Sequence, residues 1–279
     1  MRPTRNCSRA SLDTGVSKCP LDLAKIVAAV VVEQGTTFPA NATASSIEQA
    51  CHADSPNRLM PIKTFVEYAK DGGEPNVSAV GYGGNQVTNI GARTDTFTLD
   101  HFDPALAASL SKAMNVKFDV FYIDENNVVY GRRSGDNLKG FPITTLYPVV
   151  TPHPTSSNPA TLQVAFAFEN ARDAIEEFDY IELDFDIVDS LMGLTPVTLA
   201  ATATTNKYKL LETVGGYDVT AKYGSALATA ASTAMVGVST ATYDSATETL
   251  TITLASGATA PALAAPSALY TAGVKGIKG

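Results

Sequence analysis

Within IELDFDIVD, residues 181–189, three carboxylates, Glu182, Asp184 and Asp186, alternate with Ile181, Leu183, Phe185 and Ile187. Carboxylates spaced this way suggest two kinds of chemistry. Paired in a cleft with their proton affinities driven apart, they carry out general acid–base catalysis. Gathered round a cation, they bind calcium, but such a loop needs a glycine at its sixth position and a bidentate Glu at its twelfth. Here large apolar side chains interleave and no such glycine occurs. On a strand, alternate residues stand about 6.6 Å apart. Like charges at that distance repel by about 0.6 kcal/mol in water, and by about 2.5 kcal/mol at an effective dielectric of about 20. Such a row suits water and resists burial. The pattern predicts a half-buried strand with its acids wet and its apolar row in the core.

Other reactive residues are scattered. Cys7, Cys19 and Cys51 with His52 are the candidates for a zinc site, but their spacing lacks a C-x-x-C clip. GYGGNQ (81–86) fails as a dinucleotide fingerprint because Gln86 stands where the third glycine belongs. It reads instead as a hairpin tip or bulge, with Tyr82, Gly83, Gly84 and Asn85 at its centre. His52, His101 and His153 occur singly, and no G-x-S-x-G surrounds any serine. NAT (41–43) and NVS (76–78) match glycosylation acceptors but carry no weight without a secretory signal. No cofactor is expected, and nothing in these motifs points to an enzyme.

Those residues sit in a chain of 279 amino acids, 45% hydrophobic, with a net charge of −8. A core of useful size can form. The acidic balance argues against tight, sequence-independent binding to nucleic acid, which depends on Lys and Arg neutralising phosphates. It argues equally against adhesion to anionic membranes. The N-terminus is basic with no apolar h-region, so no secretory signal is expected. The longest apolar run, IVAAVVV at 26–32, is too short to span a bilayer. An odd cysteine count suggests a reducing compartment.

Two textures divide the chain. All the His, Phe and Arg residues precede position 194, and Ala and Thr dominate after it. SLMGLTP (190–196) supplies the turn signal between them. The organisation expected is an N-terminal arm (1–20), a first β domain (21–193) and a second (194–279). Strands are predicted in KIVAAVVVEQG, in VTNIGARTDTFTLD (87–100) and in TLQVAFAFEN (161–170). KFDVFYIDENNVVYGRR reads as a hairpin turning at Glu125–Asn127. A helix follows Asp103, with Pro104 at its first position. SSIEQACHA and NARDAIEEF are further helix candidates, and the proline-rich TPHPTSSNP (151–159) is a loop. After 194 come VTLAAT, YKLLET, YDVTAKYG, MVGVSTATYD and ETLTITLA, read as the strands of an Ig-like β-sandwich.

Several phrases together carry a resemblance: KCPLDLAKIVAAVVVEQGTTFP, AVGYGGNQV, FYIDENNVVYG followed by LKGF, and LAAPSALYTAGVKGI. With these the chain resembles virion structural proteins of tailed bacteriophages of the Bacteroidetes-phage type. It is most like a tail tube (major tail) protein with a C-terminal Ig-like domain. The resemblance implies a mainly β fold: a tail-tube-like β-sandwich with one flanking helix, plus the Ig-like domain. It implies six subunits closing a ring, rings stacked through long hairpins and terminal arms, and contacts with other tail or neck proteins. Assembly would occur in the host cytoplasm, and the mature location would be the virion tail. DNA would pass without being held.

On that reading Tyr82, Gly83, Gly84 and Asn85 belong to a stacking hairpin. Glu182, Asp184 and Asp186 face a lumen, where carboxylates repel phosphates. An outer solvated face is the alternative for the acids. A head–tail neck ring or adaptor, a capsid decoration protein and a carbohydrate-binding module are the alternatives for the whole chain. The absence of Trp counts against the last.

Overall fold

The computed structural model describes residues 23–79, 81–151, 153–156 and 159–279. The expected N-terminal arm, with Cys7 and Cys19, lies outside the described residues. The fold is mainly β, as expected.

The chain divides into two compact units. The first runs through Ala44 and resumes at Pro61–Asp189; the second joins Ser45–Met60 to Ser190–Gly279. One division between the units falls between Asp189 and Ser190. Sequence texture did not reveal that residues 45–60 leave the first unit to complete the second.

The first unit is built on an eleven-stranded sheet that branches at its centre. Ile26–Glu33, the β-branched run, is buried from residue 28 to 32 and lies antiparallel to Phe118–Asp124. That strand turns into Val128–Ser134, with Asn127 at φ 62° supplying the turn. Buried Asp124 braces the turn by accepting from the Asn126 and Val128 amides and the Tyr130 hydroxyl. Phe141–Thr151, Thr161–Phe168, Arg93–Leu99 and Phe65–Gly72 follow one another across the sheet. On their inner face Phe65, Phe97, Phe141 and Phe166 stack with Tyr122 of Phe118–Asp124, neighbouring ring centroids lying 4.5–6.0 Å apart. The predicted helix spans Pro104–Lys112, and Asp103 caps it by accepting from the Ala105 and Leu106 amides at 2.8 and 3.0 Å.

Two expectations for the first unit change. VTNIGARTDTFTLD is not one strand: it breaks at Gly91–Ala92 into Asn85–Ile90 and Arg93–Leu99. The acidic stretch is not a ladder either. Its strand is only Phe178–Glu182, because the Leu183 amide is taken by the Asn127 carbonyl and Ile187–Ser190 then turns helical.

The second unit carries a five-stranded sheet in the order Val238–Asp244, Thr249–Leu254, Lys207–Glu212, Thr195–Ala201, Ile277–Lys278. YDVTAKYG, expected as a strand, instead opens the helix Thr220–Thr229. Asp218 accepts from both the amide and the hydroxyl of Thr220, which turns the chain, and an Ala-rich helix-forming run follows. Gly224 is required there: a Cβ would lie 2.5 Å from the Tyr243 ring. Leu227, Ala234 and Leu269, all helical, share one core with Val197, Leu210 and Ile252 of the sheet. A second, two-stranded sheet pairs Met235–Val236 with Ala262–Leu263, so the unit has the expected mainly β character with helices packed into its core.

Residues 45–60 are fastened within this unit by contacts to residues 267–276. Glu48 pairs with Lys275 at 2.7 Å, and Asp54 accepts from the Ser267 hydroxyl at 2.6 Å. Buried His52 accepts from the Gly276 amide at 3.0 Å, contacts the Glu48 carbonyl through Nδ1, and packs on Tyr270.

Candidate assembly surface

The strands Phe65–Gly72 and Arg93–Leu99 form the base of one long hairpin, and Pro75–Ala79 and Asn85–Ile90 form its distal ribbon. The joint between the halves is made of glycine. Gly72 and Gly73 adopt φ of 70° and 81°, the Gly73 amide donates to the Ala92 carbonyl, and Gly91 donates back to Glu74. At Gly72 a Cβ would stand 2.0 Å from the Ala92 carbonyl oxygen. Gly72→Ala therefore meets both a left-handed φ and a backbone clash, costing about 1–3 kcal/mol. Hydrogen exchange checks this: amides in 75–90 should lose protection while those of 118–134 keep theirs.

Every residue of Pro75–Ala79 is exposed, as are all of Asn85–Ile90 except half-buried Ile90. The ribbon is nonetheless amphipathic. Val77 lies opposite Val87 and Pro75 opposite Ile90 on one face; Asn76 bonds Asn89 at 2.7 Å on the other. Between Pro75 and Ala92 there is no charged residue. At the tip Tyr82 is fully exposed among glycines, and Asn85 is the first residue of the returning strand. The four hairpin residues singled out from sequence thus sit together at a projecting end.

Below the joint and among the described residues, the face of the sheet opposite the aromatic stack carries no basic residue, although Thr98 and Ala165 within it are buried and Thr145 accepts from the Asn115 amide. Across four strands, Glu67 pairs with Thr98, Thr98 with Gln163, and Gln163 with Val149. The next row is Ala69, Thr96, Ala165, Tyr147, and the third is Asp71, Thr94, Ala167, Thr145. None of these residues is basic, and Glu67, Ala69 and Asp71 on the outermost strand are exposed. Sequence reasoning missed this face. Its only trace is the alternation of Thr94, Thr96 and Thr98 about Asp95 and Phe97. Among the described residues the strand Phe65–Gly72 pairs along one side only, and an edge of this kind is a template for another strand.

On the inner side of the hairpin base lies a cavity of about 330 Å³, walled by Leu23, Ile26, Val66, Phe97, Tyr130 and Phe178. Asp95 lies in its floor, buried, with its carboxylate held bidentately by Arg93 at 2.8 Å through both oxygens. The Tyr68 and Tyr122 hydroxyls add bonds at 3.2 and 3.4 Å. Burial, and then the Asp95 charge, push both phenols above the ordinary tyrosine range. Lys25 and Glu67 also line the cavity.

The acidic residues fall elsewhere. Glu182 is half-buried at a strand end, and Asp184 and Asp186 are exposed. Asp186 accepts from the Asp189 amide at 3.2 Å, a turn-capping role. Both ring nitrogens of His52 are engaged within the protein, so it is not placed as a metal ligand. His101 bonds its neighbour Asp100, and His153 is exposed. Among the described residues no cluster of His, Cys, Asp and Glu could hold a metal ion, and no helix is long and apolar enough to cross a membrane. Compared with protein-family models and with curated proteins, the sequence yields no match.

Proposed function

We propose that the chain is a self-assembling structural protein of a phage tail tube, whose copies join through the hairpin and sheet edge into stacked rings. The observation that carries this reading is the distal ribbon, an uncharged, amphipathic pair of strands with its apolar side in water. A two-stranded hairpin is at best marginally stable by itself, and uncharged strands without protecting lysines promote association. A ribbon of this kind is accounted for by a partner surface.

The outer sheet face supports the second half of the reading. A conduit for DNA must not offer phosphates a place to release counterions. Three rows of Thr, Ala, Gln and hydrophobic residues with acids at the edge meet that requirement. The lumen role expected for Glu182, Asp184 and Asp186 passes on this reading to Glu67 and Asp71. Six subunits per ring and neck or tail partners are carried over from the resemblance. Negative-stain microscopy of the full chain at increasing concentration tests the proposal. Rings or tubes of constant bore are expected; a protein that stays monomeric at every concentration overturns it.

A further inference from the structure

The geometry points to a specific contact within that assembly: Tyr82 at the hairpin tip of one copy seats in the aromatic cavity at the hairpin base of the next. The inference rests on the self-assembly reading and names its partner surface.

The tip is shaped to enter. Tyr82 is fully exposed, and Gly81, Gly83 and Gly84 around it add no side-chain bulk. A pocket of about 330 Å³ takes a phenol ring with room to spare. Its walls are mainly aromatic and aliphatic, with Lys25 and Glu67 able to bond the hydroxyl. This division suits tyrosine, a large apolar ring with a polar end. Asp95 already accepts four bonds and needs nothing from the newcomer. The ribbon behind the tip has no charge between Pro75 and Ala92, so docking buries no ion of the incoming strand.

Within one copy Tyr82 is fully exposed and is therefore not seated in its own pocket. The pocket it fills on this reading belongs to another copy. Tip into base is a heterologous contact, and such contacts propagate rather than close in pairs.

The experiment uses the full chain with p-benzoylphenylalanine replacing Tyr82, irradiated under assembling conditions and mapped by mass spectrometry. Adducts to peptides containing Leu23–Ile26 or Val66–Tyr68 of another copy are expected. Adducts confined to other surfaces overturn the pocket while leaving self-assembly standing. A monomer with no intermolecular adduct overturns both. In parallel, Tyr82→Ala and the mouth-filling Val66→Trp should each raise the concentration needed for assembly about tenfold or more. Combined, they should be less than additive, as expected for groups that touch. Both positions are exposed in the single chain, so unchanged circular dichroism separates lost contact from lost fold. Unaltered assembly in both variants overturns the contact.

Discussion

Replacing residues 73–92 with an Asn-Gly turn is expected to give a protein that folds as before and no longer assembles. Gly72 and Arg93 are the last paired residues of the hairpin base, so a two-residue turn of type I′ closes the shortened strands in register. What is removed contributes nothing to the buried core, since the ribbon is exposed almost throughout. The change in stability should stay within about 1 kcal/mol. On the proposed reading the change in assembly should be complete, with no rings or tubes at any concentration at which the full chain forms them. Sedimentation velocity and urea titration of the same sample separate the two effects. Intact polymers from the shortened chain would place assembly on another surface.

The second large effect falls on the hairpin base. Asp95→Ala leaves the Arg93 guanidinium without its bidentate partner and strands two phenol hydroxyls beside Phe97 and Phe166. Removing one member of a buried pair costs about 3–5 kcal/mol, because the remaining charge stays desolvated. The urea midpoint should fall accordingly, read by far-ultraviolet circular dichroism. Asp95→Asn should lose less, since the amide oxygen still accepts from a tyrosine or from Arg93. A loss below about 1 kcal/mol in Asp95→Ala would mean that Arg93, itself partly exposed, finds water as a substitute.

The contrast between these residues and the acidic row explains what was legible in the sequence. Strands with a strong local signature were readable. Ile26–Glu33 announced itself through consecutive β-branched residues, and the 118–134 hairpin through alternation about an Asx turn. The helix after Asp103 was readable from its cap and its proline. Alternation misled where hydrogen-bond partners came from far along the chain. IELDFDIVD alternates as a strand should, yet Asn127, more than fifty residues earlier, takes the Leu183 and Ile187 amides and bends it. YDVTAKYG likewise alternates, but Asp218 and the alanines downstream favour a helix. The cation-free sheet face was illegible because it is assembled from residues of four strands, and no local window contains it. The hairpin tip was found because glycine and a lone aromatic leave a local mark.

Contacts tie residues 45–60 to Lys275, Gly276 and Ser267, and they bear on how the protein comes into being at the ribosome. The early segment emerges long before its partners, which follow it by 213 to 227 positions, and until then it has nothing to close upon. Buried Ile47, Cys51 and His52 must wait for those residues to be translated. Stopping the chain short of Ser267 would thus strip away more than a tail, undoing a seam laid down near the start. Nor does a cut at position 190 liberate a self-sufficient module, because part of what it needs is encoded upstream.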